Sequence, residues 1–183
     1  YEDINHDGVI NKYDIVYLGN TQPLVTGGGG VTVKYKQVTL SAFFHGRFGQ
    51  SIVNMARMNN ESVFGSNNQS KAVLRRWKNE GDNTDIPRAL YNEGRNYLGS
   101  DRFVEKASFV RLKSMTLSYG FPRKICNRFN VNSLSVLVTG YNLFTWTNYT
   151  GQDPEVSVKD NLAIDTATTP VAKRFSFGLN MSF

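Results

Sequence analysis

The run Val171-Ala172-Lys173-Arg174-Phe175-Ser176-Phe177-Gly178-Leu179-Asn180-Met181-Ser182-Phe183 alternates without a fault. Val171, Lys173, Phe175, Phe177, Leu179, Met181 and Phe183 share one parity, and Ala172, Arg174, Ser176, Gly178, Asn180 and Ser182 the other. Successive side chains of a strand point to opposite faces, so this run predicts a strand with one greasy face and one small, polar face. A water-soluble sheet rarely leaves a row of Phe, Leu and Met on its rim, ending in an aromatic. A wall with lipid on one side and a packed polar lumen on the other suits both faces.

Working outward, Leu134 to Phe144 is rich in β-formers, with less cleanly separated faces. Ser108 to Gly120 is a further strand whose parity slips: Val110 and Leu112 share one face, Met115, Leu117 and Tyr119 the other. That slip predicts a β-bulge near Ser114, or a strand that leaves the membrane there. Pro122 ends it, and a short basic connection runs from Arg123 to Asn132. Nearer the start, Val31 to Tyr35 and the set Val38, Leu40, Ala42 and Phe44 alternate on either side of Lys36-Gln37, with Phe43 out of phase. The glycines at 27 to 30 leave the start of the first strand open.

Between these runs lie polar stretches at 1–25, 51–105 and 147–170, the second with a short helix expected from Gln69 to Trp77. A structureless connection as long as 51–105 is uncommon inside a compact soluble domain and usually carries function. Short and long connections therefore alternate, as tight periplasmic turns and long extracellular loops do in outer-membrane barrels. The expected fold is all-β: about five antiparallel strands of a large transmembrane β-barrel, with long extracellular loops and a short loop helix. The first strand then runs inward and the C-terminus reaches the periplasm.

Bulk properties remove other classes. The 183 residues are enough for one ordinary domain, but no apolar run approaches the roughly 18 to 20 residues of a membrane helix. The net charge of +6 comes from basic residues scattered in ones and twos, which argues against a nucleic-acid partner. Cys126 stands alone, so no internal disulfide or cysteine metal cluster is expected. Tyr1 to Asn5 has no basic and apolar leader pattern, so any export signal is expected upstream or removed.

Asp3, Asn5, Asp7, Gly8, Val9, Asn11 and Asp14 follow the spacing of a calcium loop, in which alternate oxygen side chains converge on a hard cation and glycine permits the sharp turn. Val9 would offer its carbonyl and Ile10 would anchor the loop. Asp14 stands where a longer Glu is usual, so a structural calcium ion would be held weakly; the alternative is an Asx-rich turn without metal. Trp77, beside Arg75 and Arg76, is a candidate sugar or peptide contact by stacking, or else a loop anchor. Phe144, Trp146 and Tyr149 suggest interface-belt aromatics. His6 and His45 lack an activating Ser, Cys or carboxylate pattern, and no enzyme is expected.

Three stretches resemble the SusC/RagA family of TonB-dependent nutrient importers. Arg102 to Lys113 with Leu117-Ser118-Tyr119 is similar to a late barrel strand and its approach. Gly140 to Gly151 with Asp153-Pro154-Glu155 is similar to another, and Arg76-Trp77, Gly81-Asp82 and Thr84 to Arg88 resemble an extracellular loop of the family. The ending resembles the signal by which the Bam machinery recognises barrel precursors, carried by Phe175, Phe177, Leu179, Met181 and Phe183. The four glycines depart from the pattern, where an aromatic is expected.

The resemblance implies that residues 1–183 are the C-terminal part of a barrel of about 22 strands. Signal peptide, carboxypeptidase-like extension, TonB box and plug domain would then lie outside the chain. It also implies import of a glycan or peptide across the bacterial outer membrane, with a SusD-like lipoprotein as lid, the TonB complex reached through the missing N-terminal parts, and outer-membrane lipid around the wall. A soluble calcium-binding β-domain that recognises carbohydrate is the alternative, and a passive porin-like barrel is a third.

Overall fold

A computed structural model describes residues 1–92, 99–159 and 161–183. The parts of the expected loops at 93–98 and 160 lie outside the described residues. The chain divides into two compact units: a strand unit of Pro23–Gly49, Ala107–Asn148 and Thr169–Phe183, and a loop unit of Tyr1–Gln22, Gln50–Lys106 and Tyr149–Thr168.

The strand unit is one open antiparallel sheet of five strands, the number expected from the alternating runs. They are β1 (Val25–Tyr35), β2 (Val38–Phe48), β5 (Phe109–Gly120), β6 (Ser133–Thr147) and β9 (Arg174–Ser182), and the sheet order is β1-β2-β5-β6-β9. Each strand pairs with its neighbour in this series, so every connection joins adjacent strands. Lys36 and Gln37 close the first hairpin directly, with Tyr35 opposite Val38 and Lys36 in the left-handed region at φ 53°. The final strand begins at Arg174, so Val171 and Lys173 precede its ladder.

The glycines do not delay the first strand. All four pair with β2, from Gly27 opposite Gly46 to Gly30 opposite Phe43. Their smallness explains the out-of-phase Phe43, whose ring lies across this stretch: a Cβ on Gly28 would fall 2.9 Å from Phe43 Cζ and 2.9 Å from the Phe44 carbonyl oxygen. The aromatic expected in β1 is thus supplied from β2, and glycine makes room for it.

The parity slip in β5 is a bulge. Ser114 faces Phe43 and Leu112 faces Phe44, so Lys113 is the extra residue, and the β5–β6 register shifts at the same place. The insertion brings Val110 and Leu112 onto the same side as Met115, Leu117 and Tyr119, so one face stays apolar through the break. Between β5 and β6 the expected basic connection contains a short helix, α2 (Arg123–Arg128), which starts after Pro122.

The loop unit corrects the picture of structureless connections. It holds a four-stranded sheet of order β4-β3-β8-β7, made from β3 (Ser51–Asn54), β4 (Val104–Lys106), β7 (Val158–Lys159) and β8 (Leu162–Asp165). The β3–β8 ladder is parallel, with Val53 opposite Ile164 and Asn54 opposite Asp165, so the chain is not wholly antiparallel. Such pairing joins segments over a hundred residues apart, and no local periodicity announces it. Directly after β3 comes α1 (Met55–Asn60), capped by the Asn54 side chain on the Arg57 N–H. The helix expected from Gln69 to Trp77 is a shorter 3-10 turn, Lys71–Arg75, started by the Ser70 side chain. It buries Val73 against Val63 and Ile86, a small apolar cluster.

Substitution of Gly28 by Ala should destabilise the folded sheet by about 1–3 kcal/mol, because the added carbon meets backbone as well as ring. Gly29→Ala, where a Cβ would find nothing within 4 Å, should be nearly neutral. Urea titration of each variant beside the unsubstituted protein compares the two.

Candidate functional site

Register turns five strands into two chemically opposite faces. On one face the ladders align Tyr35, Val38, Tyr119, Val136 and Leu179 in one row, and Val33, Leu40, Leu117, Val138 and Phe177 in the next. A third row runs Val31, Ala42, Met115, Gly140 and Phe175, where the Leu143 side chain crowds the place of the missing Gly140 Cβ. Toward the far end Phe44, Leu112 and Phe144 are aligned, and Trp146 packs 6.4 Å from Phe44 and 6.1 Å from Phe144. On β9, Phe175, Phe177 and Leu179 are 62%, 79% and 61% exposed, Met181 is exposed, and Phe183 lies beyond the strand. They are not buried against a second sheet, and an apolar surface of this extent marks a place where something other than water belongs.

The opposite face is polar. Its middle row is Thr32, Ser41, Thr116, Thr139 and Ser176, with hydroxyl pairs at 3.0 Å between Thr32 and Ser41 and 2.9 Å between Thr116 and Thr139. Farther along, Arg111 Nε donates to Thr145 Oγ1 at 2.9 Å, His45 lies edge-on to Phe109, and the Arg174 guanidinium stacks over Tyr141.

Tyr149 is not a belt residue. It is 6% exposed, and its hydroxyl donates to Asp165 Oδ2 at 2.7 Å. Burial first, and then the hydrogen bond to that carboxylate, push its phenol upward from the ordinary tyrosine value.

The 3–14 stretch closes on itself. Asp3 accepts from the Asp7 and Gly8 N–H groups, Asp7 from the Val9 N–H and the Asn5 amide, and Asn5 from the Asp7 N–H. Asp14 accepts from the Ile4 and Asn11 N–H groups, tying the two ends of the loop together, while Asn11 donates to the Val9 carbonyl. Gly8 has φ 81°, which suits the turn. The donor set is the oxygen kind that calcium takes. Among the described residues, however, no three His, Cys, Asp or Glu groups are gathered closely enough to hold a metal by themselves.

Trp77 is half-buried, its backbone N–H donating to the Ile86 carbonyl. It lines an open cavity of about 1350 Å³ with Tyr1, Ile86, Pro87, Arg88 and Phe103. The neighbouring Arg75 instead makes an exposed ion pair with Asp85.

A charged network also holds this unit together, and it escaped sequence reasoning. Arg57 bridges Glu61 at 3.0 Å and Glu105 at 3.1 Å; Arg102 reaches Glu61 at 2.9 Å and the Asp85 carbonyl. Glu105 also accepts from the Thr150 N–H and hydroxyl and from the Asn54 amide. Burial alone would raise the Glu105 carboxyl, but the Thr150 amide and hydroxyl, Arg57 and Asn54 outweigh it and hold it below the usual range. Only the Arg57–Glu61 spacing of four on a helix was readable in advance; the other contacts span 17 to 51 residues.

A carboxyl lowered on folding stabilises above its unfolded value, about 4.3, and that contribution is lost as pH falls through the folded value. Exchange of the Thr150 amide should therefore accelerate when pH is lowered below about 4 after correction for intrinsic rates. Glu105→Gln should raise that exchange at neutral pH by about 1–3 kcal/mol of lost protection and flatten the pH dependence.

No family model matches the chain. Its whole length aligns with TonB-dependent receptor P3 of Formosa agariphila at 29% identity and with TonB-dependent receptor P26 of the same organism at 30%, in each case covering 19% of the relative. The fold matches that of the RagAB peptide importer in its open-open and closed-closed states, each at a TM-score of 0.73, with 26% and 28% identity over 89% of this chain. Only 17% and 18% of those chains are covered, and the matched sheet is open here. Strand pairing, sequence and fold agree in likening the chain to one segment, about a fifth of the length, of TonB-dependent receptors and of the RagAB peptide importer.

Proposed function

We propose that this chain is the C-terminal wall of a TonB-energised importer in the bacterial outer membrane, which takes up peptides or glycans too large for porins. The observation that carries it is the uninterrupted apolar face across five strands, backed by a row of hydroxyls. The apolar face turns to lipid and the hydroxyl face to the lumen. The 12 residues of β5 are about 30 Å tall at a barrel tilt, enough to cross the hydrocarbon layer.

On this reading residues 1–25, 51–105 and 147–170 are extracellular loops, and the plug domain and TonB box that contact the TonB complex belong to other parts of the protein. A SusD-like lipoprotein serves as partner and lid, in keeping with the likeness to the RagAB peptide importer. Phe175, Phe177, Leu179, Met181 and Phe183 form the assembly signal taken up by the Bam machinery. Trp77 contributes a stacking surface for substrate. The soluble carbohydrate-binding alternative is disfavoured by the exposure of Phe175, Phe177 and Leu179.

Placing Arg at position 177, Phe177→Arg, should cost about 2–4 kcal/mol near the bilayer midplane and deplete the heat-modifiable, outer-membrane form of the full-length receptor. Ser176→Arg, on the hydroxyl face, should be better tolerated for folding. Equal folding of the two, or the reverse order, would refute the assignment of faces. In an uptake assay with the full-length receptor, Trp77→Ala should raise the half-saturating substrate concentration with barrel assembly intact.

Calcium is proposed as a structural ion of the 3–14 loop. Asp3, Asn5, Asp7, Asn11 and Asp14 would hold it with the Val9 carbonyl, adding a cross-link to a loop that hydrogen bonds already close. Chelation of the full-length protein should then speed proteolysis within residues 1–20, with calcium but not magnesium restoring protection; an unchanged cleavage rate would exclude the ion.

A further inference from the structure

The strand unit is chemically one-sided in charge: residues 23–49, 107–148 and 169–183 contain no Asp or Glu. Four of its cations gather at the end of the sheet where connections are short. Lys36 stands at the tip of the first hairpin, and its neighbour Gln37 accepts the Gly120 N–H at 2.8 Å. Pro122 follows two residues later and opens α2, which brings Arg123, Lys124 and Arg128; all four cations are exposed.

The short helix is docked through one side only. Cys126 is 2% exposed and its thiol donates to the Phe121 carbonyl at 3.6 Å, while the Val131 N–H donates to the Cys126 carbonyl. Ile125 and Phe129, four residues apart and so on one helix face, are 38% and 64% exposed. Exposed apolar residues flanked by cations are the pattern of segments lying in a membrane interface. The apolar face of the sheet ends at the same level in rings that favour headgroup depth: Tyr35 and Tyr119, with Phe121 edge-on to Tyr119 at 5.2 Å.

We propose that the β1–β2 tip and α2 together form a binding collar for anionic phospholipid headgroups in the leaflet at the short-connection end. Lys36, Arg123, Lys124 and Arg128 meet the phosphates, and Ile125 and Phe129 enter the acyl boundary. A lipid fits better than an acidic protein because one molecule satisfies both halves of the surface, charge and adjoining apolar rings. The inference rests on the membrane-wall reading.

The test uses the full-length receptor in uncharged detergent, with retained lipid counted by native mass spectrometry against phosphatidylglycerol, phosphatidylcholine, inorganic phosphate and a polyglutamate peptide. A cation near an anionic lipid surface contributes about fivefold in binding. The combined variant Lys36→Gln, Arg123→Gln, Lys124→Gln and Arg128→Gln should therefore retain at least about tenfold less phosphatidylglycerol. Phe129→Ser should weaken retention with the charges intact. Heat-modifiable mobility checks that each variant is a folded barrel, and wild type that never forms one would overturn both the membrane reading and this proposal. A folded wild type that retains both lipids equally, a variant that retains phosphatidylglycerol like wild type, or displacement of the lipid by phosphate or polyglutamate would overturn the collar alone.

Discussion

Everything in the strand unit depends on register. Side chains alternate with a period of two, so a one-residue slip between neighbouring strands would move hydroxyls onto the apolar face and Phe, Leu and Val onto the polar one. Backbone pairing is indifferent to that exchange, since either register completes the same kind of ladder. What selects the observed register is the agreement of five strands at once: Val33, Leu40, Leu117, Val138 and Phe177 align only in this pairing. The bulge at Lys113 belongs to the same constraint, because without it the two ends of β5 would favour opposite faces.

A wall of this kind has little core of its own. On the membrane-wall reading, side chains on its apolar face gain by contact with lipid rather than with each other, and the polar face is held by short hydroxyl pairs such as Thr116–Thr139. Backbone hydrogen bonds therefore carry the structure, as they must where no water can satisfy them. The rings at the two ends, Tyr35 and Tyr119 at one and Phe44, Phe144 and Trp146 at the other, bracket the apolar rows in the way that fixes a barrel's depth.

The loop unit solves the opposite problem. Its apolar cluster of Val63, Val73 and Ile86 is small, so order comes from polar groups placed where solvent is partly excluded. Glu105 is the hub, drawing β4, α1 and Thr150 together through charge-assisted hydrogen bonds. Such a network is sensitive to the loss of any one partner, because the remaining charges stay partly buried. The Tyr149–Asp165 bond acts likewise within the same unit, and the Asx turns of residues 3–14 hold a stretch that has no buried apolar residue.

Much of the wall was legible because its information is local. Alternation in Val171 to Phe183, the two-residue link at Lys36-Gln37 and the slip at Ser114 each follow from neighbouring residues, and they determine strand number, face and bulge. Tertiary structure alone decided the rest. The role of the four glycines depended on Phe43 arriving from the next strand, and the burial of Tyr149 on Asp165 sixteen residues away. The small sheet of the loop unit and its Glu105 network join residues separated by tens of positions. Pairing at that distance obeys geometry and charge that no window of sequence contains, whereas a half-greasy strand writes its two environments into every second residue.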